Sequence, residues 1–216
     1  MITLKQSATG AQEPSGARMG NTVYETLSRK IVPGLVEATS RKSKSPIKRW
    51  TGIDHLSQGA CIIFGNRYEE AMNALIEQSI DCDAITNSST KIYITKDSQL
   101  TPQSKGNKDI DILFRHEGKI CYRESKCNLQ LDSEKSKVTA SKIEDITRKL
   151  QVLYPNCEID AAILNMEWSD KKAFMHGVRI EYAGEFIQRI GFDCSEQEYE
   201  AMGKQIGRDF IEGLNG

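Results

Sequence analysis

The sequence predicts an α/β protein, a mixed central β-sheet flanked by helices in an α/β/α sandwich. Three observations lead there. Two strand-like runs, 109 to 114 and 119 to 126, are separated by a short turn ending in Gly118. A helical pattern from Asp132 to Tyr154 follows, and a nearly continuous apolar run, Ile159 to Leu164, comes directly after it. A tight turn between strands implies an antiparallel pair, whereas a helix between strands implies a parallel, right-handed crossover, so the sheet is mixed.

Taken in chain order, Tyr24, Leu27, Ile31, Leu35 and Val36 recur at helical spacing, and Pro33-Gly34 interrupts them, so one helix or two short ones are expected. Residues 40 to 59 read as a basic loop. A firmer helix is expected from Asn66 to Ile80, with Tyr68, Met72, Leu75 and Ile76 as its apolar stripe and Glu69 and Glu70 in its first turns. Lys91 to Thr95 is a short β-rich run, and 97 to 108 is polar and turn-rich.

Within 132 to 154, Val138, Ile143, Ile146, Leu150 and Leu153 mark the apolar face, and Asp132-Ser133 can cap. Ile159 to Leu164 has the composition of a strand covered on both faces. Val178 to Tyr182 reads as a further strand and Glu185 to Ile190 as a short helix. Ser195 to Leu214 reads as a terminal helix opened by the capping-box pattern Ser195-Glu-Gln-Glu198. No repeat or linker divides the 216 residues, so a single domain is expected: a basic segment over 1–59, a core over 60–170, and a C-terminal strand and helices over 171–216.

Composition excludes several classes. With 38% hydrophobic and 27% charged residues the chain is neither disordered nor fibrous. No apolar run approaches the roughly 18 residues of a membrane span. Residues 1 to 20 lack the apolar stretch of a secretory signal, so a cytoplasmic location is expected. The six cysteines show no C-x-x-C, and no histidine stands near one at ligand spacing; free thiols fit better than a zinc site or a disulfide scaffold. Net charge is -1, yet the first 50 residues carry nine Lys/Arg against three acids. Arg41-Lys-Ser-Lys44 and Lys48-Arg49 suit either a phosphate-tracking arm or a solvated one.

The chemistry concentrates in the hairpin. Strand alternation puts Asp109 and Asp111 on one face of 109 to 114, and Tyr122, Glu124 and Lys126 on one face of 119 to 126. Folding at 115 to 118 brings Asp111 close to Glu124. Two converging carboxylates repel, and one pKa rises unless a cation intervenes. Carboxylates with water suit Mg²⁺, which accepts one or two protein carboxylates and takes further oxygens from substrate phosphates. Lys126 would orient the attacking water and balance charge at phosphorus. The string [DE]-x-K occurs at Glu117-Gly-Lys119, Glu124-Ser-Lys126 and Asp170-Lys-Lys172; only the second ends a strand, 13 residues after an Asp in the neighbouring one.

These residues resemble the PD-(D/E)xK nuclease superfamily, and within it the type II restriction endonucleases. Ile110-Asp111 stands at the family's Pro-Asp, with Ile in place of Pro, and Glu124-Ser125-Lys126 matches its E-x-K. Gly65-Asn-Arg-Tyr-Glu69 is similar to the G-N-x-x-E helix start whose glutamate often joins the acidic cluster. Ile180 to Ile187 is similar to a closing strand-then-helix. The resemblance implies a restriction-endonuclease-like sandwich in which Asp111, Glu124, Lys126 and Glu69 are catalytic and Mg²⁺ is held at Asp111, Glu124 and Ser125. It also implies cleavage of double-stranded DNA to leave a 5′-phosphate, usually by a homodimer at a short palindrome.

Other readings stand beside these. Asp109 is a more distant or solvated acid, and Glu70 is the alternative to Glu69. Asn128, Gln130, Lys135 and Lys137 reach phosphates or base edges, or Asp132, Glu134, Lys135 and Lys137 simply form the exposed face of the following helix. Trp50 and Trp168 are core anchors by default. The functional alternatives are a structure-specific repair or resolvase nuclease, and an inactive DNA-binding module of the same fold.

Overall fold

The computed structural model describes residues 22–33, 48–52, 58–127, 129, 133–167 and 172–215. Its helices are α1 (22–33), α2 (Lys48–Thr51), α3 (Gln58–Gln78), α4 (Ser133–Leu153), α5 (Ala183–Arg189) and α6 (Glu196–Asn215). Its strands are β1 (Cys82–Ala84), β2 (Ile92–Ile94), β3 (Leu100–Thr101), β4 (Lys108–Ile110), β5 (Ile112–His116), β6 (Lys119–Lys126), β7 (Ile159–Asn165), β8 (Phe174–Met175) and β9 (Val178–Tyr182). Six strands form one mixed sheet in the order β1-β5-β6-β7-β9-β8, and three form a small second sheet in the order β3-β2-β4.

Both expected connections are present. β5 and β6 pair antiparallel, from Ile112 opposite Arg123 to His116 opposite Lys119. The turn is therefore only Glu117-Gly118, tighter than the 115 to 118 turn expected, and both residues have positive φ, 48° and 75°, as a two-residue primed turn requires. After α4 the chain returns as β7, parallel to β6, and β9 is parallel to β7.

The large sheet is covered on both sides. Ile112, Phe114, Cys121 and Leu164 face a core shared with Leu27 and Ile31 of α1, Tyr68 and Leu75 of α3, Phe186 of α5 and Phe210 of α6. On the other face Leu113, Ile120, Tyr122, Ile163 and Ile180 pack under Ala140, Ile143, Ile146 and Leu150 of α4. Each fully buried aliphatic side chain contributes about 1.5–3 kcal/mol, so this face, rather than helix propensity, holds α4 in place. Trp50 lies in the first core, edge-on to Phe64 and Tyr199. The capping box of α6 forms as read: Ser195 Oγ and N both donate to Glu198 Oε2 at 2.7 Å, and Glu198 N donates back to Ser195 Oγ.

Four expectations need correction. Residues 109 to 114 are not one strand: β4 pairs with β2, with Ile92 opposite Ile110, in the small sheet, and pairing with β6 begins only at Ile112. Asp111 is the junction, because its carbonyl and carboxylate are taken by Asn73 and by Ser125 N–H. The helix expected from Asn66 begins eight residues earlier, at Gln58, so Glu69 and Glu70 lie in its middle and gain nothing from its N-terminal dipole. Part of the expected 40 to 59 loop is the helix α2. Val138 is exposed, and Ser136, Thr139 and Ala140 occupy the buried stripe at that end of α4. The basic run 41 to 44, the side chains of Lys48 and Arg49, and Asn128, Gln130, Asp132, Trp168 and Asp170 lie outside the described residues.

Candidate active site

The site forms where the C-terminal end of β6 meets the N-terminal end of β5, beside the tip of the small sheet. Asp111 is 9% exposed and Glu124 3%. The Asp111 carboxylate accepts the backbone N–H of Ser125 at 2.8 Å, which ties the acid directly to the Glu124-Ser125-Lys126 strand end. Lys126 Nζ donates to Glu124 Oε1 at 2.7 Å and to the Ser125 carbonyl at 3.0 Å. Tyr122, two residues back on the same face, donates its hydroxyl to Glu124 Oε2 at 2.7 Å. Asp111, Glu124, Lys126 and the Ser125 carbonyl therefore share one spot.

Asn73 of α3 fixes Asp111 from behind. Its amide donates to the Asp111 carbonyl and to the Glu69 carbonyl, each at 3.0 Å, while its Oδ1 accepts the Thr86 hydroxyl at 2.6 Å. Thr86 Oγ1 accepts the Leu113 N–H at 2.7 Å. Helix, loop and strand junction are thus locked together through two buried polar side chains with their hydrogen bonds made, as buried polar groups require.

The charges decide the electrostatics. Burial first, then Glu124 and Glu69, push the Asp111 carboxyl well above the usual carboxylate range, against a partial offset from Lys142 and Lys126. At Glu124 burial acts in the same upward sense, yet Lys126 and Lys142 overcome it and hold the pKa below its ordinary value. Burial would lower the Lys126 pKa, but Glu124 and Asp111 raise it, so this amine is protonated at neutral pH. Glu69 is raised by burial and eased by Lys91, whose Nζ is 3.6 Å from Glu69 Oε2. Glu70 lines the cavity beside these acids and forms an ion pair with Arg67 at 2.8 Å.

Lys142 of α4 is the main residue the sequence reading missed. Its Nζ lies 2.7 Å from Glu124 Oε2, 3.0 Å from Glu124 Oε1, 2.9 Å from Asp109 Oδ1 and 3.7 Å from Asp111 Oδ1. Asp109, half exposed on β4, reaches the cluster through its ion pair with this lysine. A polar cavity of about 70 Å³ opens alongside, lined by Asn66, Glu69, Asn73, Lys91, Asp109 and Asp111 among others. It is room for a few waters.

Among the described residues no three His, Cys, Asp or Glu side chains are grouped to cage a metal ion by themselves. Magnesium does not need such a cage, since it binds through one or two carboxylates and keeps waters or phosphate oxygens for the rest. The donor set of Asp111, Glu124 and the Ser125 carbonyl fits that habit. So does the raised Asp111 pKa, which marks a buried carboxyl short of positive charge. Burial pushes the Cys121 thiol up to about 11 and the Cys127 and Cys194 thiols up to about 12, and it raises the Cys82 thiol, whose Sγ lies 3.7 Å from His116 Nδ1.

No family model, curated protein or solved structure matches the chain. Among the described residues no helix is long and apolar enough to cross a membrane.

Proposed function

We propose that this protein is a Mg²⁺-dependent nuclease with a restriction-endonuclease-like sandwich of the PD-(D/E)xK kind. In particular, it is a type II restriction endonuclease that cuts double-stranded DNA at a short specific sequence, as a homodimer, leaving 5′-phosphates. The observation that carries this reading is the hydrogen bond from Ser125 N–H to Asp111, which holds the lone acid against the E-x-K strand end with Lys126 beside both.

When bound by Asp111, Glu124 and the Ser125 carbonyl, Mg²⁺ supplies positive charge that polarises the phosphodiester and eases loss of a proton from water. The chain's own residues do the remainder. Lys126, protonated next to Glu124, donates hydrogen bonds that orient the attacking water and spread the charge that grows on the phosphate oxygens. Tyr122 and Asn73 keep Glu124 and Asp111 in one geometry, so no reorganisation is needed at the moment of attack. Water adds to phosphorus, the bond to the 3′-oxygen breaks, and the products are a 5′-phosphate and a 3′-hydroxyl.

Lys142 favours one second reading, a DNA-binding module of this fold without activity, because it already neutralises the carboxylates. A digest of sequenced plasmid DNA with Mg²⁺, run beside an EDTA control, separates the two. Discrete fragments are expected with Mg²⁺ only. Asp111→Ala and Lys126→Ala are each expected to lower the rate by at least about 10²-fold, while Asp170→Ala cuts as wild type. Binding without cleavage on duplex, nicked, flap and junction substrates would establish the inactive module, and cleavage confined to branched DNA would establish a resolvase.

A further inference from the structure

We propose that Lys142 is a resident cation that occupies the carboxylate cluster before the metal arrives and is displaced on metal loading, so that it sets the metal affinity of the site. This rests on the metal-dependent reading above and goes beyond it, because the E-x-K pattern contains no such residue.

One nitrogen gathers oxygens from two separate pieces of chain: Asp109 and Asp111 on the run that crosses from β4 to β5, and Glu124 on β6. These are the oxygens a divalent ion would seek. Glu124 has none to spare, since Oε2 also accepts from Tyr122 and Oε1 from Lys126. Asp111 has committed one oxygen to Ser125 N–H, and its other, Oδ1, is the one facing Lys142. A cation drawn to Asp111 and Glu124 therefore meets an ammonium of like charge on the same atoms, and the two exclude each other.

Lys142 is also able to leave. Its side chain is 20% exposed at the protein surface, and a lysine carries its charge on a flexible four-carbon stem. Lys126 differs, because it bonds the Ser125 carbonyl of its own strand as well as Glu124. The two lysines thus divide the work: Lys126 stays with the strand end, and Lys142 exchanges with the ion.

Mn²⁺ is the probe, because its free and bound forms are separately counted by electron paramagnetic resonance. Titrations are made on wild type, Lys142→Met, Lys142→Arg and Asp111→Asn. If the lysine holds the site nine-tenths of the time, apparent affinity is reduced about tenfold, so Lys142→Met should bind Mn²⁺ at least about tenfold tighter than wild type. Lys142→Arg keeps the charge and should not tighten binding, and Asp111→Asn should weaken it. Should Lys142→Met fail to fold without metal, the Arg variant still decides, since tighter binding there would remove charge as the cause. Equal or weaker binding by Lys142→Met overturns the displacement while leaving the Asp111-dependent metal site in place. Absence of Mn²⁺ binding by all four proteins overturns both.

Discussion

Asp111 carries two opposed demands. Its carboxyl must be ionised to hold a cation, yet burial and the charges of Glu124 and Glu69 push its pKa well above the usual range. A carboxyl with a raised folded pKa favours the folded state while protonated, in full below its unfolded value of about 4, and that contribution is lost as pH rises through the folded value. Metal-free protein is therefore expected to lose thermal stability as pH rises through that value. Asp111→Asn can still accept the Ser125 N–H through its amide oxygen, and it should lack this decline. Above that value it should be more stable than wild type by about 0.5–2 kcal/mol, the usual size of a single stabilising substitution. Melting curves in EDTA across pH measure the effect, and an Asn variant that tracks wild type would contradict it. Glu124 has the opposite sign: against the pull of burial, Lys126 and Lys142 keep its pKa low, so its contribution is present above the ordinary carboxylate range and fades as pH falls. The convergence of Asp111, Glu124 and Lys126 was legible in the sequence, because strand alternation and a short turn leave few ways to place them. Lys142 was not legible, since a lysine on a helix gains meaning only once the helix is laid across a particular strand end. Asn73 left a faint signal as a polar residue inside the apolar stripe of α3.

At the level of elements, the site depends on a break. One run of alternating residues, 109 to 114, serves two sheets, and the residue at the change of partner is Asp111. Periodicity over six residues does not reveal such a break, because both halves keep the same alternation; only the competing hydrogen bonds from Asn73 and Ser125 do. The start of α3 escaped for a related reason: the apolar stretch Ala60 to Phe64 does not read as an amphipathic turn, yet Phe64 packs on Trp50 of α2. That helix in turn lies against α6, where a Cβ on Gly207 would fall on the Trp50 carbonyl. Gly207→Ala is thus expected to destabilise the protein by about 1–3 kcal/mol, the usual cost of overpacking. Urea unfolding followed by tryptophan fluorescence checks it, and an unchanged midpoint would show that α2 and α6 separate easily.

Across the whole molecule, the large sheet keeps two sets of charges on opposite faces. Glu124 and Lys126 face α4. Arg123, between Tyr122 and Glu124 in β6, points the other way, fully buried, into Glu181 and Asp160, which also bind Arg179 and Arg189. Burial opposes ionisation of Asp160, yet Arg123 and Arg179 bring its pKa down to about 2. This network joins β6, β7, β9 and α5, so the strand that carries the E-x-K residues is fastened from behind, and a pre-organised site needs such support. The mixed sheet and its crossover were legible because they rest on long periodic segments. Within the small sheet β2 was legible as the β-rich run Lys91 to Thr95, whereas β3, β1 and the sheet's pairing were not, since strands of two or three residues carry no period. The most direct test of a divalent ion between Asp111 and Glu124 is iron-mediated cleavage of the polypeptide, in which bound Fe²⁺ with ascorbate and peroxide generates radicals that cut nearby backbone. Cuts at residues 110–112 and 124–126, suppressed by excess Mg²⁺, are the expected result; an uncut chain, or cuts only elsewhere, would contradict the account.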